Sequence, residues 1–125
     1  NKCIQLRRKL IYACNRNGVG LLLGSDAPQV FDVPGFSIQH ELQYMVDAGL
    51  SPYEALCTGT VNPAQYFKTL NTGLIQQGAV ADLLLLDANP LESIKNIKSI
   101  AGVMTAGRWL SKEWIDIELN KIAHK

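Results

Sequence analysis

Apolar and polar positions along the first 70 residues indicate an α/β arrangement. Residues 1–17 carry apolar side chains at helical spacing, and Gly18 suits the left-handed position that follows the end of a helix. Val19–Gly24 is a short apolar run bounded by turn residues, which is typical of a fully buried strand. Helical spacing returns in Ser37–Ala48, and Gly49 ends that helix. The order of helix, glycine, strand and acidic loop is that of an α/β unit.

Two more helices in this half are predicted from their start signals. Ser51-Pro52-Tyr53-Glu54 is a capping box with proline at the first helical position, and Asn62-Pro63 opens a third, shorter helix in the same way. We expect the aromatic side chains of these two helices, Tyr53, Tyr66 and Phe67, to pack in the core.

After Leu70 the pattern changes to short strands. Leu83–Leu86 is a buried strand between two acidic residues, and Ile97–Met104 is a second strand. Ala106-Gly107 is a hairpin turn into a third strand; such a turn needs positive φ angles, which suit Gly107 and not Ala106. Ser111 caps a final helix, which we expect Trp109 and Trp114 to bury against the sheet.

A boundary near Leu70–Gly73 divides the chain into residues 1–70 and 71–125. Buried strands need partners for their backbone groups, and the chain holds few strands. The chain has no initiator methionine, and a helix is already under way at its start. We therefore expect it to be a piece of a longer protein.

Composition mainly excludes several classes of partner and site. The 125 residues are 47% hydrophobic and 18% charged with a net charge of +1, which gives no electrostatic case for nucleic acid or an anionic membrane. No apolar run approaches the roughly 20 residues that span a bilayer. Cys3, Cys14 and Cys57 lack CxxC spacing, which argues against a zinc knuckle or a disulfide framework and favours free thiols in a reducing compartment. The sequence does not otherwise indicate a location.

Asp26 is the candidate for chemistry. It stands just past the apolar run, where barrel enzymes place their catalytic groups, although aspartate in that place also serves as a turn former. The loop Gln29–Gly35 that follows is apolar, and its side chains line a pocket or pack over the strand end. His40 contacts substrate or lies on a helix surface, and we expect no role for His124. Two more acids, Asp82 and Asp87, favour pairing with nearby backbone or with a missing N-terminal segment over catalysis.

Seven short motifs follow one another over nearly the whole chain. They are Gly24–Ala27, Pro34–Ile38 with His40–Leu42, Ala48–Leu56, Thr60–Ala64, Gly78–Leu83, Asp87–Leu91 and Val103–Arg108. In this order and spacing they resemble the C-terminal portion of the metal-dependent amidohydrolase superfamily. The nearest branch is the imidazolonepropionase-like one, which includes prolidase-like dipeptidases. Ala106 departs from the asparagine that is usual at its position in this family.

The resemblance implies a fold and a site. Residues 1–70 would be the C-terminal end of a (β/α)8 barrel, with Val19–Gly24 as its eighth strand. Residues 71–125 would be part of a small composite β-sandwich domain with a closing helix. Asp26 matches the aspartate of strand eight, which in this family ligates a catalytic divalent metal, often zinc. It also takes a proton from the attacking water and passes it to the leaving amine. The implied substrate is a small molecule with an amide or cyclic amide C–N bond.

Other features that the family needs are absent from the sequence. There is no His-x-His, and the only histidines are His40 and His124. We therefore expect the isolated chain to be inactive, to hold no metal tightly, to require the missing N-terminal part of the same protein, and to self-associate through uncovered strand edges and apolar faces. The alternative is a non-catalytic scaffold or assembly domain that kept the fold and lost the chemistry.

Overall fold

The computed structural model describes residues 2–123, which form helices and a small three-stranded antiparallel sheet. None of these helices combines the length and the apolar character of a membrane-spanning helix. The elements, in chain order, are α1 (Lys2–Arg16), α2 (Ser37–Asp47), α3 (Pro52–Thr58), α4 (Val61–Tyr66), β1 (Leu83–Leu86), a 3-10 helix (Ile94–Lys98), β2 (Ile100–Thr105), β3 (Arg108–Ser111) and α5 (Lys112–Ala123).

The predicted helices are all present, and local chemistry explains most of their ends. The predicted start at Asn62-Pro63 is wrong, because α4 begins at Val61 after Thr60 and the Asn62 side chain donates to the Leu21 carbonyl at 2.9 Å. Gly18 has a φ of 72° directly after α1. At the start of α3, the Ser51 hydroxyl accepts a hydrogen bond from the Glu54 backbone N–H at 3.2 Å. The Glu54 carboxylate in turn accepts one from the Ser51 N–H at 2.7 Å, which completes the capping box. Ser111 accepts a hydrogen bond from the Trp114 N–H at 3.3 Å at the start of α5.

The sheet has the strand order β1-β2-β3, and both pairs are antiparallel. The predicted turn between β2 and β3 is confirmed, with φ angles of 47° at Ala106 and 77° at Gly107. The carboxylate of Asp82 accepts a hydrogen bond from the Ala106 N–H at 2.6 Å, and the Gly107 N–H donates to the Ala81 carbonyl at 3.2 Å. Asp82 therefore pairs with backbone, as expected, and holds the hairpin turn against the start of β1.

The core is small and lies between the helices and the 3-10 helix. Its fully buried apolar side chains are Leu42, Met45, Leu50, Ala55 and Ile94. Buried Thr58 donates its hydroxyl hydrogen to the Ala55 carbonyl at 2.6 Å, which satisfies its polar group inside the core. Ile94 is the core member that comes from the second half of the chain, so the 3-10 helix packs directly on α2.

Three strand predictions need correction. Leu83–Leu86 is a strand, as predicted, but it is not buried, because Leu84 and Leu85 are 43% and 55% exposed. Val19–Gly24 forms no strand, because residues 2–123 offer it no neighbouring strand. Its backbone is held instead by hydrogen bonds from the Leu23 N–H to the Thr58 carbonyl at 2.9 Å, from Nδ2 of Asn62 to the Leu21 carbonyl at 2.9 Å, and from the Val19 N–H to the Cys14 carbonyl at 3.0 Å. Leu21 and Leu23 still pack against the core and alternate with exposed Leu22, which is the period of an extended chain. The predicted strand Ile97–Met104 begins only at Ile100, because the 3-10 helix occupies the residues up to Lys98.

The predicted burial of the aromatic residues is wrong for the first half of the chain. Tyr53, Tyr66 and Phe67 are all exposed, Tyr66 at 70%. The rings of Tyr66 and Phe67 pack edge to face with each other, with centroids 5.0 Å apart, outside the core. In the second half, the Trp109 ring covers Gly102 of the neighbouring strand and the Arg108 guanidinium lies 5.8 Å from the Trp114 ring. Both tryptophans remain about half exposed.

Candidate functional site

Asp26 lies near the end of segment 21–27, where the chain turns sharply. Its φ is 57°, a left-handed conformation that aspartate tolerates better than most residues. The side chain is exposed, and its Oδ2 accepts a hydrogen bond of 2.6 Å from Nε2 of Gln29. One carboxylate oxygen is thus held by a neutral donor from its own loop. No pattern in the sequence indicates this contact, because the pairing depends on how the loop folds back.

The loop that follows Asp26 is tied to itself and to α2. The Asp32 N–H donates to the Gln29 carbonyl at 2.9 Å, which closes a tight turn. The hydroxyl of buried Ser37 accepts a hydrogen bond from the Val33 N–H at 2.8 Å. Ser37 is the first residue of α2, so the loop ends on a fixed helix.

The turn presents apolar side chains outward. Phe31 is 99% exposed and has a φ of 67°, and Val30 is 85% exposed. A bulky residue with positive φ is uncommon and costs about 1–2 kcal/mol. Of the two arrangements considered for this loop, packing over the strand end does not occur in residues 2–123. The apolar tip faces outward beside Asp26.

A second carboxylate lies close to this loop on α2. Partial burial raises the pKa of Glu41, and the nearby carboxylate of Asp32 raises it further. Glu41 stands one helical turn after Ser37, at the same end of α2 as the loop. Sequence reasoning did not single out Glu41, because its burial depends on the packing of the loop.

The histidines take no part in the site that the structure describes. His40 lies exposed on α2, which agrees with the helix-surface alternative, and His124 is outside residues 2–123. Among the described residues, no group of three or more histidine, cysteine, aspartate or glutamate side chains could hold a metal ion. Asp26 supplies one carboxylate, whereas a catalytic zinc generally takes three protein ligands. The described side chains therefore do not make up a metal site by themselves.

Comparison with known proteins settles the family. The model of the amidohydrolase family matches residues 6–110. The chain belongs to the amidohydrolase family. Its fold is an α/β arrangement shared with solved amidohydrolase structures, and the predicted resemblance is confirmed.

Individual relatives show how much of a family member this chain covers. It is 36% identical over 81 residues to the ochratoxinase of Aspergillus niger, which is 62% of this chain and 16% of the relative. It is 30% identical over 71 residues to an adenine deaminase of Methanothrix thermoacetophila, or 57% of this chain and 12% of the relative. A solved Bifidobacterium longum structure assigned as a prolidase superposes with a TM-score of 0.73 and 32% identity, over 92% of this chain and 30% of that one. The chain thus spans less than a third of each.

Proposed function

We propose that this chain forms the C-terminal part of a hydrolase that cleaves an amide or cyclic amide C–N bond, and that Asp26 transfers protons in that reaction. The observation that carries the proposal is the family match over residues 6–110 together with the place of Asp26 at the end of segment 21–27. The relatives, an adenine deaminase and an ochratoxinase, support the coarser assignment of a hydrolase that acts on C–N bonds.

The proposed architecture is that of the family. Residues 1–70 are the end of a (β/α)8 barrel, and residues 71–125 are part of the smaller β-sandwich domain with its closing helix. The packing of Leu21 and Leu23 on the helical core supports the first assignment, because a barrel strand packs one face against the surrounding helices. The exposed Leu22 would then face the interior of the barrel. The antiparallel β1-β2-β3 sheet supports the second.

Asp26 has the properties that its proposed role needs. An exposed carboxylate can accept a proton from an attacking water molecule and return it to a leaving amine. Gln29 donates to Oδ2, which orients the carboxylate and leaves Oδ1 available. The proposed cofactor is a divalent metal, with zinc the metal expected from the resemblance. Asp26 would be one ligand and the part of the protein outside this chain would supply the others.

The loop residues Val30 and Phe31 are proposed to contact the substrate. They lie four and five residues after Asp26 in the chain, and both side chains are almost fully exposed among residues 2–123. Contact with an apolar group of the substrate would remove the Phe31 ring from water, which is favourable. The site therefore favours a substrate that carries an apolar group beside the scissile bond.

The sequence upstream of this chain in its reading frame tests the proposal. A His-x-His after a predicted strand is the expected result. A reading frame without further metal-ligating residues would instead favour the non-catalytic scaffold. A second test adds Zn²⁺ and amide or dipeptide substrates to the isolated chain, which we expect to show no turnover. Turnover that Asp26→Ala abolishes would overturn the assignment of this chain as one part of the catalytic unit.

A further inference from the structure

The segment that carries Asp26 is joined to the connection between α3 and α4 by two hydrogen bonds. The Leu23 N–H donates to the Thr58 carbonyl at 2.9 Å, and Nδ2 of Asn62 donates to the Leu21 carbonyl at 2.9 Å. Leu23 precedes Asp26 by three residues and Leu21 precedes it by five. Both contacts therefore act on the stretch of backbone that leads directly into the candidate proton-transfer group.

The first of these contacts is anchored in the core. Thr58 is 1% exposed, and its hydroxyl donates to the Ala55 carbonyl at 2.6 Å. The connection also packs closely against the segment, because a Cβ at Gly59 would lie 2.8 Å from Cδ2 of Leu23. The absence of a side chain at Gly59 permits this approach. Thr58 thus gives the segment one fixed point on the core.

The second contact comes from a side chain that has no part in starting its own helix. Asn62 is the second residue of α4, and the start of that helix has no side-chain capping bond. The Asn62 carboxamide is partly buried, and it reaches a carbonyl 41 residues earlier in the chain. Removal of this donor would leave the partly buried Leu21 carbonyl without its partner, which is unfavourable.

Together the two bonds take the backbone groups that a neighbouring strand would take. A residue of a parallel strand binds the carbonyl of one residue and the N–H of the residue two positions later. The Leu21 carbonyl and the Leu23 N–H form such a pair, and here their partners belong to the connection between α3 and α4. The position of the segment on this edge therefore depends on Thr58 and Asn62 and not on a further strand.

We propose that Asn62 is a positioning residue, which keeps the Asp26 carboxylate at the place of reaction by holding the Leu21 carbonyl. The inference rests on the proposed function of Asp26. Thr58 binds the segment through its backbone and lies in the core, whereas the Asn62 contact is made by a side chain that substitution can remove. The carboxamide is neutral, so its removal moves the segment without changing the charge of the site.

Steady-state kinetics of the complete polypeptide that contains this chain test the inference, with kcat expressed per folded enzyme. Asn62→Ala is expected to lower kcat at least about tenfold and to leave KM nearly unchanged, because displacement of a reacting group costs rate and not binding. Asn62→Gln keeps the amide donor on a longer side chain, and its kcat should lie between those of the native protein and Asn62→Ala. Far-UV circular dichroism measures the folded fraction, and Asn62→Ser replaces Asn62→Ala if the latter does not fold.

Asn96→Ala is the matched control. Nδ2 of Asn96 donates to the Asn89 carbonyl at 2.8 Å, and Asn96 is partly buried like Asn62. Both variants remove an amide donor from a backbone carbonyl, and only Asn62 binds the segment before Asp26. We expect Asn96→Ala to keep native kcat. Hydrogen exchange of amides 21–23 should become faster in Asn62→Ala and stay native in Asn96→Ala.

The kinetic and exchange results together decide the inference. A lowered kcat and faster exchange of amides 21–23 in Asn62→Ala, with native values in Asn96→Ala, support it. Native kcat in Asn62→Ala, equal losses of kcat in the two variants, or unchanged exchange of amides 21–23 overturns it. The proposed function fails by a different result, native turnover in Asp26→Asn, so the two failures are distinguishable.

Discussion

Nε2 of Gln29 lies 2.6 Å from Oδ2 of Asp26, within a loop that α2 fixes through Ser37. The contact ties the orientation of the candidate proton-transfer group to a neutral residue three positions later. Removal of the donor should let the carboxylate rotate without changing its charge.

Gln29→Ala is expected to lower kcat of the complete enzyme about tenfold and to leave KM nearly unchanged, because misorientation of a reacting group costs rate and not binding. Steady-state kinetics measure the two constants separately. The conservative change Gln29→Asn keeps an amide donor on a shorter side chain. Its kcat should fall between those of the native protein and Gln29→Ala. A variant with raised KM and native kcat would show that Gln29 contacts the substrate and does not orient Asp26.

Phe31→Ala is expected to weaken recognition of apolar substrates. Paired amide probes that differ only in a benzoyl or an acetyl group measure this, and kcat/KM for the benzoyl probe should fall about tenfold, in line with the loss of 1–2 kcal/mol of apolar contact. Phe31→Leu should recover most of the loss. Equal losses for both probes would indicate that the side chain has a structural role in the turn.

The parts of the fold that local chemistry determines were predictable from the sequence. Gly18, the Ser51–Glu54 capping box and the Ala106-Gly107 turn are all marked by residue types adjacent in the chain, and all are confirmed. Val19–Gly24 failed as a strand because a strand depends on neighbours remote in sequence.

The candidate site likewise combines a residue that local sequence points to with contacts that depend on tertiary structure. Asp26 is a candidate from the sequence because an acid after an apolar run is a local signal, and its role stays a prediction. The Gln29 contact, the pKa shift of Glu41 and the outward Phe31 depend on how the loop closes, which no spacing along the chain encodes.

The capping box predicts a pH dependence of stability. Hydrogen bonds from the backbone and side chain of Ser51, then from Asn15, lower the pKa of Glu54 from 4.5 to about 2 in the folded chain. A lowered folded-state pKa stabilises the fold fully above pH 4.5, and this contribution disappears as the pH falls from 4.5 towards 2. Glu54→Gln should therefore flatten the curve of unfolding free energy against pH in that window.

Urea unfolding of the 125-residue chain at a series of pH values measures this curve. Ser51→Ala removes the side-chain partner while keeping the carboxylate, and it should cost about 1 kcal/mol at neutral pH. If the unfolding free energy of Glu54→Gln falls below pH 4.5 as steeply as that of the native chain, another group causes the acid sensitivity.

The hairpin between β2 and β3 carries a residue that is poorly suited to its turn. Ala106 has a φ of 47°, a region where asparagine and glycine are favoured. Ala106→Asn should raise the free energy of unfolding by about 0.5–1 kcal/mol, and Ala106→Val should lower it, because β-branched side chains disfavour positive φ. Thermal unfolding of the native chain, Ala106→Asn and Ala106→Val measures the order of their stabilities. A higher stability for Ala106→Val than for the native chain would contradict this turn geometry.

The role of Asp26 is tested most directly by kinetics of the complete polypeptide that contains this chain, with an amide substrate and with Asp26→Asn beside Asp32→Asn. Both variants remove one negative charge from the same loop, and only the first removes the proposed proton carrier. We predict that kcat/KM falls at least about a hundredfold for Asp26→Asn and changes little for Asp32→Asn. Native turnover in Asp26→Asn, or equal losses in both variants, would contradict the account.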